Sequence, residues 1–157
     1  MSTPTGLYRS PLFPDAQHFP CIVEGADLER QLPHRAPMRL LDRLLALDPG
    51  GRRALGTRFV DPDDPVLAGH FPGEPIYPGV LQLELMGQTG LLLLCEQCRP
   101  RIVGVESARF LDAVRPGDVA RAEVVVLDED SLRGRIAAQI WVRQRLCSAA
   151  VLEVYLA

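Results

Sequence analysis

Hydrophobic and polar residues alternate with a period of two over much of this chain, which is the pattern of β-strands. The segments with strand character are 40–47, 52–60, 102–110, 119–127, 135–142 and 146–156. The turn sequence Asp48-Pro49-Gly50-Gly51 joins the first two and predicts a β-hairpin. In the segment 135–142, the alternation predicts a strand with one buried side and one solvent-facing side.

One long segment has helical rather than strand character. It begins at Gly79 and runs to about Gln97, and it is apolar on nearly every side. A helix that is apolar all round is buried, and this one is too short and too often interrupted by polar residues to span a bilayer. One buried helix among antiparallel strands predicts an α+β fold.

The first 26 residues stand apart from this pattern. They contain four prolines without sustained periodicity, so we expect residues 1–26 to form an irregular N-terminal arm. Residues 27–157 are expected to form one domain. Asp27 is a candidate N-cap for a short helix that ends at Gln31.

Composition narrows the functional classes. A formal net charge of −3 offers no electrostatic basis for binding nucleic acid or an anionic membrane. No cationic start followed by an apolar run marks a signal peptide. Cys95 and Cys98 lack the second pair or nearby histidine of a zinc site. We therefore expect reduced thiols, a cytoplasmic location, and neither a metal nor an organic cofactor.

The candidate chemistry lies between Gly69 and Glu84. His70 sits in a loop rich in glycine and proline, and Glu84 sits in the second turn of the apolar helix. A histidine and a carboxylate at one apolar site are the usual components of proton transfer. On these residues alone, two structural interpretations stay open: a turn histidine bonded to backbone, and a paired structural carboxylate. We expect burial to raise the pKa of Glu84 against the opposing effect of the helix N-terminus.

Three motifs follow one another along the chain. The first is Leu32-Pro33-His34-Arg35 with Leu41-Asp42-Arg43, the second is residues 69–84, and the third is residues 104–110 with 114–118. Together they resemble the β-hydroxyacyl-acyl-carrier-protein dehydratases of fatty-acid synthesis, the FabZ-like and FabA-like hot-dog family. The resemblance runs from about Leu28 to the C-terminus. It implies a hot-dog fold for residues 27–157, with an antiparallel sheet wrapped around one long central helix.

The resemblance also implies a role for each matching residue. His70 and Glu84 match the family's catalytic histidine and carboxylate, and the Ile76 carbonyl matches the group that orients the histidine ring. The residues expected to bind the substrate or its oxyanion are Gly79, Phe71, Gln88 and Val80. Gln88 is expected to support the site from one turn along the helix. His34 is expected to be structural, through packing or a hydrogen bond.

The implied reaction is the conversion of a (3R)-3-hydroxyacyl group into a trans-2-enoyl group. The substrate is carried on the phosphopantetheine arm of an acyl carrier protein, in fatty-acid or related polyketide and secondary lipid synthesis. The arm is expected to enter past arginines such as Arg99, Arg101 or Arg109. The implied assembly is a homodimer, alone or built further into a trimer of dimers, with His70 and Glu84 of each site on different chains. Two alternatives remain, a hot-dog thioesterase and a non-catalytic acyl-carrier binding module.

Two positions bear on specificity. Arg101-Ile102-Val103 stand where the family carries an aromatic pair, one member of which gates the acyl tunnel. The gating residue is therefore not identified by the resemblance. The related dehydratase-isomerases carry aspartate at the position of Glu84, so the glutamate argues against isomerisation.

Overall fold

The computed structural model describes residues 4–94 and 101–156. The predicted helix end near Gln97, the pair Cys95 and Cys98, and Arg99 lie outside these ranges. No helix in the described part of the chain is long and apolar enough to cross a membrane.

Within the described residues, seven strands form one antiparallel sheet in the order β1-β2-β3-β5-β6-β7-β4. The strands are β1 (Pro20–Glu24), β2 (Arg43–Asp48), β3 (Arg53–Phe59), β4 (Arg101–Phe110), β5 (Val119–Glu129), β6 (Arg133–Val142) and β7 (Arg145–Tyr155). The helices are α1 (Gly25–Gln31), α2 (Pro65–Gly69) and α3 (Gly79–Leu94). The predicted α+β hot-dog architecture is confirmed.

Helix α3 packs against β3, β5, β6 and β7. Its Leu85, Met86 and Leu91 share one core with inward-facing strand residues such as Val124 and Ile136. Because its apolar residues are not confined to one stripe, the helix is stable only where other elements cover most of its surface. The sheet supplies that cover, and helix α3 therefore forms the centre of the core.

The predicted β2–β3 hairpin is present, although β2 starts later than predicted. Arg43 pairs with Thr57 and Asp48 with Arg53 across the hairpin. The N–H groups of Leu40 and Leu41 instead donate to Oε1 of Gln88, at 2.9 and 3.1 Å. This side-chain acceptor satisfies two backbone donors that the predicted strand would have used in the sheet.

The N-terminal arm is more regular than predicted. Residues 20–24 form strand β1, which pairs with β2, and Ala16–His18 form a turn of 3₁₀-helix. Helix α1 begins at Gly25 with Glu24 at the N-cap, so Asp27 lies in its first turn and pairs with Arg30 rather than capping the helix. Tertiary pairing with β2 stabilises a segment whose own sequence shows no strand periodicity.

The prediction that one side of β6 faces solvent is also wrong. Leu7 of the arm packs in a second apolar cluster with Ala137, Ala149 and Val151. The Gln139 side chain is fully buried beneath the arm. Its amide accepts from the N–H of Leu12 and donates to the carbonyls of Leu7 and Ser10. The arm thus covers the sheet face opposite helix α3, so both faces of β6 are buried.

Candidate active site

His70 is held by the structure on both sides of it in the chain. Asp64 caps helix α2 by accepting from the N–H of Val66, and Pro65 takes the first helical position. The helix ends at Gly69, directly before the histidine. The Nδ1 atom of His70 lies 2.9 Å from the Ile76 carbonyl oxygen. A carbonyl oxygen only accepts, so Nδ1 carries the hydrogen and Nε2 of the neutral ring is left as a base. The contact that the predicted role of Ile76 requires is present.

His70 lines a cavity of about 640 Å³ with mostly apolar walls. Four other predicted site residues line the same cavity: Phe71, Ile76, Gly79 and Val80. Phe71 stacks on the His70 ring with the ring centroids 4.1 Å apart. The remaining walls are Tyr77, Pro78, Gln82 and residues 110–113. The structure thus brings five of the seven predicted site residues together.

Gly79 begins helix α3 at this cavity. The N–H groups of Leu81 and Gln82 donate to the Pro78 carbonyl, while the N–H groups of Gly79 and Val80 precede the helical hydrogen-bond pattern. A side chain at position 79 would place its Cβ 2.6 Å from the Phe110 ring. A larger residue at position 79 would therefore have to displace the Phe110 ring of β4, a constraint that the sequence motif did not reveal.

Glu84 lines a different cavity of about 90 Å³, which His70 does not line. Its polar neighbours there are His34 and Gln88, and the described lining is completed by Gly87, Leu91, Leu94, Arg101, Ile102 and Val154. The two predicted catalytic groups are therefore not brought together in one cavity of a single chain. Ile102, from the segment that departs from the family pattern, forms part of the wall beside the carboxylate.

The side-chain amide of Gln88 has no free hydrogen-bond donor or acceptor position left for a substrate. Its Oε1 accepts from Leu40 and Leu41, and its Nε2 donates to the Met38 carbonyl at 2.7 Å and to Oε1 of Glu84 at 2.8 Å. An amide offers two donors and two acceptor positions, so its capacity is filled. The prediction that Gln88 binds substrate is at odds with this geometry. Its contacts instead anchor the 38–41 segment to helix α3.

His34 lies beside Glu84, a partner that the sequence did not indicate, although a hydrogen bond was one of the roles expected of this histidine. Its Nε2 lies 3.2 Å from Oε1 of Glu84. The first motif contains His34, but nothing in the sequence indicated that it would meet a helix residue so distant along the chain. The hydrogen bond with His34 holds the pKa of Glu84 below its usual value, and Gln88 adds to this effect. Burial opposes them but does not prevail, so the expectation of a raised pKa was wrong.

An ion-pair network anchors helix α2, which directly precedes His70 in the chain. Arg58 on β3 contacts Asp42 at 3.2 Å and the capping residue Asp64 at 3.3 Å. Asp42 also accepts from the N–H of Phe59 at 2.7 Å. This network joins helix α2 to the β2–β3 hairpin, so it sets the position from which His70 enters its cavity.

A long buried helix in an antiparallel sheet, with a histidine in the loop before it and a carboxylate in its second turn, defines a hot-dog protein with a candidate acid–base site. The chain belongs to the FabA-like family, since residues 32–148 match the model of the FabA-like domain. Among the described residues, no group of three or more His, Cys, Asp and Glu side chains is arranged to hold a metal ion.

Curated relatives agree with this assignment. The chain is 40% identical over 120 residues to the 3-hydroxyacyl-[acyl-carrier-protein] dehydratase FabZ of Latilactobacillus sakei, covering 73% of this chain and 83% of the relative. It is 45% identical over 98 residues to the FabZ dehydratase of Symbiobacterium thermophilum, covering 59% of this chain and 68% of the relative.

Solved structures share the fold at lower identity. The dehydratase heterocomplex ApeI:P from Xenorhabdus doucetiae matches with a TM-score of 0.70 at 21% identity, over 83% of this chain and 90% of that chain. The uncharacterized protein PH1136 from Pyrococcus horikoshii matches with a TM-score of 0.66 at 11% identity, over 87% of this chain and 95% of that chain.

Proposed function

We propose that the chain is a (3R)-3-hydroxyacyl-[acyl-carrier-protein] dehydratase that forms trans-2-enoyl thioesters. The observation that carries the proposal is the His70 ring, which the Ile76 carbonyl orients at the wall of a largely apolar cavity. The FabZ relatives carry the same activity in their names. The cavity offers the apolar walls that an acyl chain needs and the base that an elimination needs.

The first half of the reaction removes a proton. Nε2 of His70 takes it from the carbon next to the thioester, and the electron pair left behind spreads onto the thioester oxygen. The N–H groups of Gly79 and Val80 lie at the start of helix α3, where the helix dipole favours negative charge. These donors are proposed to hold the developing oxyanion in a site with little water to screen it.

The second half expels the hydroxyl group as water and needs a proton from the Glu84 side. The pKa of Glu84 is lowered in the single chain, so the carboxyl is ionised near neutral pH. We propose that the closed site changes this balance. A bound acyl chain excludes water and raises the pKa of a carboxyl group by desolvation, and Glu84 then donates directly or through a water that it holds.

A homodimer is the proposed active unit. His70 and Glu84 line separate cavities of one chain, which supports a site completed by a second copy. Strand β4 lies at the end of the sheet and pairs only with β7 in the described residues, and it exposes Val103 and Val105. An unpaired strand edge is a template for pairing with another chain. We propose that two copies join their sheets along β4, with further assembly into trimers of dimers.

The proposed partner is an acyl carrier protein. Arg101 and Arg109 are exposed on β4, at the edge where the proposed dimer forms. Arginine side chains suit the phosphate of a phosphopantetheine arm.

Cys21 and Cys147 are free thiols, which fits a reducing compartment, and we propose a cytoplasmic location.

The test is product analysis with a 3-hydroxybutyryl thioester of acyl carrier protein. Mass spectrometry is expected to show loss of one water from the acyl group, and the enoyl thioester is expected to absorb in the ultraviolet. His70→Ala serves as the inactive control. An unchanged substrate, with carrier and protein both intact and several chain lengths tried, would refute the proposal.

A hot-dog thioesterase is the second candidate, and one observation favours it. An ionised Glu84 is suited to directing a water molecule at the thioester carbonyl. This reaction releases a free thiol and a 3-hydroxy acid without forming an enoyl group. A thiol reagent added to the same assay separates the two activities.

A further inference from the structure

The carboxylate of Glu84 is held on one oxygen by two side chains. Gln88 donates to Oε1 at 2.8 Å, and Nε2 of His34 lies 3.2 Å from the same oxygen. Among the described residues, no hydrogen bond reaches Oε2. The proposed mechanism gives Glu84 a role and His34 none, and it does not explain why both contacts fall on Oε1.

Two contacts on one carboxylate oxygen decide where a proton resides. A protonated oxygen is a poor acceptor, so a carboxyl group whose Oε1 accepts two hydrogen bonds carries its proton on Oε2. This arrangement needs the hydrogen of the neutral His34 ring to lie on Nε2. The His34 Nδ1 atom is buried without a hydrogen-bond partner among the described residues, so no contact there competes for that hydrogen.

The backbone around His34 is fixed in place. Arg35 donates from one nitrogen to the carbonyls of both Leu32 and His34, each at 2.8 Å. The segment that follows is tied to helix α3 through the bonds of Gln88 to Met38, Leu40 and Leu41. The His34 ring therefore meets Glu84 from a held segment rather than from a free loop. Arg101 is the other charged side chain of the described lining of that cavity.

We propose, on the basis of the proposed dehydratase function, that His34 is a positioning residue. It holds Oε1 of Glu84 so that Oε2 is the oxygen presented to the departing hydroxyl group of the substrate. His34 itself touches neither the substrate nor the reacting atoms. Its effect therefore falls on the proton-transfer step and not on substrate binding.

Two substitutions separate this role from simple packing. In His34→Gln the amide nitrogen reaches the place of Nε2, whereas in His34→Asn it reaches only the place of Nδ1. We expect His34→Asn to lower kcat by about 10- to 100-fold, the range for losing one hydrogen bond to a charged group, with KM nearly unchanged. His34→Gln is expected to recover most of that loss. His18→Asn, the same change at an exposed histidine of the arm, is the matched control.

A second measurement needs no turnover. Carbon-13 labelling of glutamate side chains lets NMR follow the ionisation of Glu84, whose signal is assigned by its absence in Glu84→Gln. The pKa of Glu84 is expected to rise in His34→Asn and to stay near the wild-type value in His34→Gln and His18→Asn. If His34→Asn melts at a lower temperature, the titration is made below that transition.

Several outcomes overturn the role of His34. The role is refuted if the folded His34→Asn protein keeps the wild-type kcat and the wild-type titration of Glu84. It is also refuted if His34→Gln loses as much activity as His34→Asn, because the loss would then come from disturbed packing of the histidine ring. If the wild-type protein forms no enoyl thioester, the proposed dehydratase function fails instead. The NMR titration then still reports whether His34 holds Glu84.

Discussion

His70 and Glu84 line two separate cavities of the same chain, although they are close in sequence. The segment between them contains Pro72, Pro75 and Pro78, whose rings fix the backbone φ angle and limit how the chain can turn back. Neither cavity alone contains both His70 and Glu84, the two predicted catalytic groups. A second copy of the chain is the simplest source of the missing group for each.

Complementation between inactive variants tests this arrangement. His70→Ala and Glu84→Gln are each expected to reduce kcat by about 10²–10⁴-fold, the usual contribution of a general acid or base. When the two variants are mixed and allowed to exchange subunits, each mixed dimer has one site with both groups, so activity is expected to return. The measurement is enoyl-thioester formation by the mixture against each variant alone.

Subunit exchange must be shown independently, for example by native mass spectrometry of differently labelled chains. A mixture that exchanges subunits and yet stays inactive would place His70 and Glu84 of one site on the same chain.

The lowered pKa of Glu84 predicts how stability depends on pH. A carboxyl group whose pKa is lower in the folded state than the usual 4.5 contributes stability at higher pH, and this contribution is lost as pH falls through the folded pKa. The wild-type protein is therefore expected to lose more free energy of unfolding than Glu84→Gln as the pH is lowered from about 5. Urea unfolding of both proteins over this pH range measures the difference. Parallel curves would show that Glu84 ionises in the folded protein as it does in the unfolded chain.

The N-terminal arm is predicted to be part of the stable domain. Leu7 is 1% exposed in the cluster on the outer face of β6 and β7, whereas Leu132 is 54% exposed. Leu7→Ala is expected to cost about 2–5 kcal/mol in the free energy of unfolding, because it leaves a cavity in a packed cluster. Leu132→Ala is the matched control and is expected to change it by less than about 0.5 kcal/mol. Equal effects of the two changes in urea unfolding would mean that the arm does not stay on the sheet in solution.

Tyr77 is predicted to tolerate the loss of its hydroxyl group. Its side chain is 2% exposed, and its hydroxyl makes no hydrogen bond of normal geometry among the described residues. Burial raises the pKa of Tyr77 to about 12, although the nearby Arg58 acts to lower it, so the group stays neutral. Burying a hydroxyl group without a well-formed hydrogen bond costs free energy, so Tyr77→Phe is expected to keep or raise the melting temperature. A clear fall, measured by calorimetry, would indicate that the hydroxyl does have a partner in solution.

Local patterns were enough to predict most of the secondary structure. The β2–β3 turn, the start of helix α3 at Gly79 and the break between the strand segments 135–142 and 146–156 are all encoded by short runs of residues. Strand β1 was missed, because its pairing with β2, rather than its own periodicity, makes it a strand. The buried outer face of β6 was missed for a similar reason, since the residues that cover it lie in the arm.

For the site, the sequence by itself determined which residues are proposed to carry the chemistry, because His70 and Glu84 belong to one short motif with a recognisable pattern. Only the tertiary structure decided their surroundings. It placed His34 and Gln88 on Glu84, and hydrogen bonds from these residues lower its pKa against the effect of burial. It also placed the Phe110 ring against Gly79 and separated the two catalytic candidates into different cavities. Contacts between residues far apart along the chain depend on how helix α3 and the strands pack together, and no local pattern encodes that packing.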